Sequence, residues 1–190
     1  MEVFDESGIK TRGTDRPFDW VNIAFLTIAP LIAVVGTALY AWNYGVTWLE
    51  VGIFFAMYWA TGLSITAGYH RYFSHRTYDC GKPLQLFYLV FGAAAVENSA
   101  INWCSDHRYH HRYVDNDEDP YNITRGGLYA HIGWIFRKDI RDQHKRFQNI
   151  PDLQKIAFVA WQHKYYLPLV VLVGFALPAE RARLRSALRA

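Results

Sequence analysis

WVNIAFLTIAPLIAVVGTALYAW, residues 20–42, is a run of 23 residues without a single charge. As a helix it reaches about 34 Å at 1.5 Å per residue, enough to cross a bilayer core of about 30 Å. Pro30 in its middle would break a soluble helix, whereas in lipid neighbouring helices can satisfy the freed carbonyl. A second uncharged run, VGIFFAMYWATGLSITAGY, ends at Tyr69, and the span that contains it is placed at residues 48–69. A soluble core around two such helices is the alternative, and it is hard to sustain because 190 residues cannot wrap both of them in protein on every side. The fold class is therefore all-α integral membrane, beginning with a transmembrane helical hairpin that turns at Asn43-Tyr44-Gly45.

The flanks orient this hairpin. Residues 1–19 are polar and carry five acids, unlike the short basic start of a cleaved secretory signal. Lys10, Arg12 and Arg16 precede the first span, the linker between the spans has no Lys or Arg, and thirteen Lys or Arg lie between His70 and Lys164. Positive-inside logic puts the N-terminus and everything after the second span on the cytoplasmic side. A composition of 52% apolar, 17% aromatic and 19% charged residues excludes disorder. Cys80 and Cys104 match no zinc or redox spacing, which argues for reducing surroundings. The net charge of +3 is carried by the Arg-rich residues 180–190, and no basic motif points to a nucleic-acid partner.

Residues 70–164 read as a cytosolic helical cap. Its one long apolar stretch, PLQLFYLVFGAAAV at 83–96, is too short to span, so it packs as a buried or interface-lying helix whose Gly92–Ala95 surface permits close approach. A third apolar run, residues 165–179, would reach about 22 Å as a helix and falls short of the bilayer.

Five of the eight histidines fall in two clusters, His70-Arg71-Tyr72-Phe73-Ser74-His75 and His107-Arg108-Tyr109-His110-His111. On a helix His107, His110 and His111 stand at i, i+3 and i+4, one stripe from which imidazoles can converge on a metal. His70 and His75 are separated by roughly 140° at about 100° per residue, so they share a site only if two metals lie between them or the helix end unwinds. Two metals is the reading adopted. Imidazole without thiolate suits zinc, copper, nickel or iron. The rival reading is a solvated basic face, with Arg71, Arg76, Arg108 and Arg112 serving lipid phosphates. Two clusters on one side of the membrane favour metal.

At these residues the chain resembles the membrane fatty acid desaturases of the acyl-CoA, delta-9 (stearoyl-CoA) type. The likeness covers roughly residues 20–178. It is carried by His70-x4-His75, by Asn98-Ser99 through Trp103-Cys104-Ser105-Asp106-His107-Arg108-Tyr109-His110-His111-Arg112, by Asp119-Pro120, Asn122 and Arg125-Gly126, and by His131-Ile132-Gly133-Trp134. It implies a four-span bundle with a cytosolic cap, and an O2-dependent oxidoreductase that introduces a cis double bond, at delta-9, into a fatty acyl chain. Two Fe ions would do this, with O2 as co-substrate and His70, His75, His107, His110 and His111 as metal ligands. Implied partners are a fatty acyl-CoA or acyl-lipid substrate, membrane lipid, and an electron donor of the ferredoxin, flavodoxin or cytochrome b5 type.

Trp103 matches the residue that would line a bend in the acyl tunnel, its alternative being ordinary core packing. Arg137 and Lys138 would point toward the carrier headgroup. Asp106 is the leading carboxylate for fixing imidazole tautomers, ahead of Glu97, with a salt bridge to Arg108 or Arg112 as its alternative. The acidic run ending at Asp119-Pro120 reads as a loop and helix-start signal. His131 reads as a buried histidine satisfied by a carbonyl, and His144 and His163 as surface.

Two departures matter. Ser105 stands where animal members carry an arginine, which bears on CoA specificity. Relative to the family the third span is incomplete, the fourth is absent, and so is the third histidine box, which predicts a truncated or frame-disrupted chain broken after Pro178 whose five box histidines are too few for two metal spheres. The alternatives are a membrane di-iron hydroxylase, a catalytically inactive remnant and a histidine-zinc membrane protein.

Overall fold

The computed structural model describes residues 16–116, 118–138 and 147–180. His144, Asp117 and the Arg-rich residues after Glu180 lie outside the described residues. Helices account for nearly all regular structure among them, and a single antiparallel bridge, Phe18 with Arg137, is the only β pairing described. The chain divides into two compact units, Met1–Thr47 with Tyr109–Arg146, and Trp48–Arg108 with Phe147–Ala190.

In the first unit α1 covers Trp20–Tyr44. Asp19 caps it, its carboxylate accepting the N–H groups of Val21 and Asn22 at 3.1 Å each, which satisfies two of the helix's orphan donors. Gly45 ends it at φ +68°, a left-handed conformation that glycine adopts without a Cβ penalty, and its N–H closes on Ala41 O at 2.9 Å. None of the 25 residues of α1 is buried, and Ile28, Leu31, Val34 and Leu39 lie bare along it. An apolar helix with so much of its surface uncovered suits lipid rather than water. The residues leading into α1 lie along 134–138: Asp19 N–H donates to Phe136 O, Lys138 N–H to Pro17 O, and the Asn22 side chain to Ile135 O.

The second unit begins with α2, Trp48–Ser74, which runs five residues past the expected end of the second span. Residues Trp48–Leu63 are α-helical and Ser64–Ser74 are π-helical. Thr61 and Thr66 return their hydroxyls to Met57 O and Gly62 O, whereas the buried Ser64 Oγ between them has no hydrogen-bond partner among the described residues. Next come α3, Lys82–Ala94; α4, Ala100–Arg112; and, in the first unit, the single-turn α5, Gly127–His131. Then α6, Pro151–Gln154, α7, Ala157–Lys164, and α8, Tyr166–Glu180, complete the second unit. The last four residues of α4 fall with the first unit. Both α1 and α2 are long and apolar enough to cross a membrane, whereas α8 is shorter.

The core of the second unit gathers Tyr69 and Phe73 from α2, Leu89 from α3, Ala100, Ile101 and Cys104 from α4, and Ile150, Leu153 and Val159. α2 and α3 interlock reciprocally. A Cβ on Gly68 would sit 2.6 Å from the Tyr88 ring, and one on Gly92 would sit 2.5 Å from the Tyr69 ring. Each glycine is the seat of the other helix's tyrosine. Buried Gln162 of α7 secures the arrangement, donating to Tyr69 Oη at 2.8 Å and accepting the Ala100 N–H at 3.1 Å, so its amide is satisfied on both sides.

Candidate metal centre

Three imidazoles from two separated stretches meet in the second unit. His70 and His75 come from the C-terminal end of α2, and His107 from the third turn of α4. Their ring centroids form a near-equilateral triangle: 4.7 Å for His70–His75, 4.5 Å for His70–His107 and 4.9 Å for His75–His107. The nitrogens they offer all lie within 4.8 Å of one another.

The π-helix is the reason His70 and His75 can meet. The separation of roughly 140° assumed α-helical winding. In the structure His75 N–H reaches back to His70 O at 3.2 Å, an i→i−5 bond, and this wider winding brings residues five apart back toward one face. Convergence therefore needs no pair of metals to bridge a gap.

The residues fit a metal ion. His75 Nε2 and His107 Nε2 are 2.9 Å apart, and an ion about 2.05 Å from each would see them at about 90°, the angle between neighbouring ligands in octahedral coordination. Thiolates do not compete. Burial pushes the Cys104 thiol up to about 12, and its Sγ donates to Tyr69 O at 3.4 Å. The donor set is imidazole, suited to iron, zinc, copper or nickel.

His111 follows His107 by one turn of α4 and so shares its stripe. His110 is engaged within the first unit. Its Nδ1 lies 2.8 and 2.9 Å from the two oxygens of Asp119, and its ring stacks on Tyr121 at 4.1 Å. Asp119 is fully buried and also accepts the backbone N–H groups of Asp115 and Tyr121 at 3.1 Å, which keeps its carboxylate satisfied. A proton on Nδ1 directs the His110 lone pair to Nε2, the carboxylate–histidine arrangement that fixes a metal ligand's tautomer. The sequence reading gave this role to Asp106. Asp106 is half-buried on α4, and Arg108, offered as its partner, goes to Asp152. Asp119 stands nine positions beyond His110, past the end of α4 at Arg112, so no helical period could have paired them.

Trp103 stands against the histidines. Its ring stacks on His107 at 5.0 Å with planes 28° apart, and meets His70 edge-on at 6.3 Å. Its indole N–H donates to Glu97 at 3.2 Å. Burial raises the Glu97 carboxyl and the bond from Trp103 offsets part of that rise. Glu97 thus reaches the cluster through an indole rather than an imidazole.

Asp152, which sequence reasoning did not single out, is half-buried between two arginines. Burial alone would raise its carboxyl, but bonds from Arg108 and then Arg76 hold it at about 2. Arg137 is committed within the first unit: its guanidinium lies 3.8 Å over the Phe18 ring and donates to Arg16 O at 2.8 Å. Lys138 is exposed beside it. His131 is exposed, not buried, because it closes a five-residue helix whose last turn faces outward. His163 is exposed, with Nδ1 2.7 Å from Ser99 Oγ.

No family model matches the chain. Curated relatives do. A probable acyl-CoA desaturase of Schizosaccharomyces pombe is 39% identical over 167 residues, 86% of this chain and 33% of the relative. A delta-9 fatty-acid desaturase of Caenorhabditis elegans is 36% identical over 162 residues, 84% of this chain and 47% of the relative. An acyl-CoA delta-11 desaturase of Trichoplusia ni is 34% identical over 174 residues, 90% of this chain and 49% of the relative. The chain thus spans a third to a half of the length of these relatives.

Proposed function

The chain is a homologue of part of the acyl-CoA desaturases, and from that premise we propose that it carries the first two histidine boxes of an O2-dependent membrane desaturase acting on a fatty acyl-CoA or acyl-lipid. The observation that supports this most is the convergence of His70, His75 and His107 within 4.8 Å. Those three would hold iron, and His111 together with His110, the latter oriented by Asp119, are the further ligands that the sequence resemblance implies. Bound there, iron supplies the activated oxygen that removal of hydrogen from an unactivated methylene demands. The overall change converts –CH2–CH2– to –CH=CH–, while O2, the two hydrogens removed from the chain, two electrons and two protons become two waters.

The chain's own residues position and shield. Glu97 holds the Trp103 indole so that its ring forms an apolar wall alongside His107, where an acyl chain can be aligned on one C–C bond. Arg137 and Lys138 offer positive charge to the carrier headgroup. Electrons come from a donor of the ferredoxin, flavodoxin or cytochrome b5 type. In this reading α1 and residues 48–69 of α2 are membrane spans, residues 70–164 form the cap, residues 165–179 belong to a third span, and the N-terminus and the histidine boxes face the cytoplasm.

Lipid analysis of a host expressing the chain tests the reaction. The expected product is a cis double bond, at delta-9 by the sequence likeness and at delta-11 if the chain follows the moth relative. A hydroxylated chain at the same carbon assigns a hydroxylase instead. An unchanged lipid profile contradicts the proposal.

A further inference from the structure

All five guanidinium N–H donors of Arg108 are placed. Nε donates to Ser74 O at 3.0 Å; one amino group serves Phe73 O at 2.7 Å and Asp152 Oδ2 at 3.0 Å; the other serves Asn149 O at 3.2 Å and Asp152 Oδ1 at 2.7 Å. One planar fork therefore pairs two-pronged with a carboxylate, while two of its remaining donors take up carbonyls at the end of α2, which no intrahelical N–H would satisfy, and the third takes Asn149 O. Arg108 directly follows His107 on α4, and Phe73 and Ser74 directly precede His75.

Two further ties converge on the same corner. Arg76 also pairs with Asp152, from a backbone at φ +53° that is uncommon for a residue with a side chain. The Asn149 side chain exchanges two hydrogen bonds with Ser105 of α4, accepting from its hydroxyl at 2.9 Å and donating to its carbonyl at 2.8 Å. The turn before α6 is thereby pinned to α4, and Asp152 with it.

We propose that Arg108, gripped by Asp152, is a positioning residue that sets His70 of the π-helix and His75 at its C-cap against His107 at the distance a shared metal ion requires. This rests on the metal-binding reading of the histidine group. Neither Arg108 nor Asp152 touches the ion; they hold the two backbones that carry its ligands. Lysine cannot replace Arg108, because an ammonium presents three donors without the fork.

Cobalt(II) titration of the purified full chain in detergent, followed by its visible ligand-field bands, tests this. Arg108→Lys and Asp152→Asn should bind cobalt(II) about 10–100-fold more weakly, the range seen when a group supporting a metal ligand is lost. Their bands should shift, while Asp152→Glu, which keeps the carboxylate, binds closer to wild type than Asp152→Asn. A merely structural role lowers the melting temperature but leaves the affinity and spectrum of the folded protein unchanged, and that result overturns the proposal. Should either variant fail to fold, Arg76→Gln removes only the exposed arm; weaker binding with shifted bands supports the clamp, and unchanged binding overturns it. Wild-type protein that takes up no cobalt(II) at all overturns the metal reading and the clamp together, whereas wild-type uptake with indifferent variants overturns the clamp alone.

Discussion

Replacing His107 by alanine should cost the chain its metal: affinity for cobalt(II) or iron(II) falls by more than about 100-fold, beyond what losing a supporting group costs. His107 is the vertex of the site. Its ring lies 4.5 Å from His70 and 4.9 Å from His75, its Nε2 is 2.9 Å from that of His75, and Trp103 stacks on its face. Alanine removes the imidazole that faces both His70 and His75, and an ion held there must take water in its place. Equilibrium dialysis with metal analysis reads the loss directly. His131→Ala is the matched control, because His131 is exposed at the end of α5 and should leave metal content unaltered. Equal loading in His107→Ala and wild type contradicts the assignment.

The second large effect concerns packing. Gly92→Ala should destabilise the fold by about 1–3 kcal/mol, the usual cost of forcing an extra carbon into a filled core. The new Cβ would stand 2.5 Å from the Tyr69 ring, and that ring cannot swing aside, since it is fully buried and Gln162 Nε2 holds its hydroxyl at 2.8 Å. The disturbance also travels toward the site, for Tyr69 directly precedes His70 and its ring lies 6.1 Å from that of Trp103. Gly36→Ala makes the contrast. Nothing lies within 4 Å of a Cβ at Gly36, which sits inside α1, so alanine there should be neutral or stabilising through its better helix propensity. Thermal unfolding in one detergent, followed by circular dichroism, compares the two. A Gly92→Ala protein as stable as Gly36→Ala would show that the interlock is loose.

The helices were legible because charge-free runs of helix length have few other destinations, and α1 and α2 follow those runs closely. The histidines were legible as clusters, and spacing placed His107 and His111 on one stripe. Their mutual geometry was not. A period of 3.6 residues sets His70 and His75 apart, and only the π-helical winding from Ser64 to Ser74 returns them to one face. No local rule announces that winding. The pairings of Asp119 and Asp152 were invisible for a related reason: each is brought to its partner by irregular chain or by tertiary packing, nine residues from His110 and forty-four from Arg108. Asp106 drew notice because it adjoins His107, yet adjacency on a helix turns the next side chain about 100° away. Nor did spacing show that the Arg137 guanidinium lies over the Phe18 ring.

The central claim is that imidazoles from two separated stretches share one ion. X-ray absorption at the cobalt edge of the cobalt(II)-loaded chain in detergent counts those imidazoles directly, because the rings scatter with a signature that water and carboxylate lack. At least three imidazole nitrogens at about 2.0–2.1 Å is the expected result. One imidazole, or an ion ringed by water alone, would contradict it.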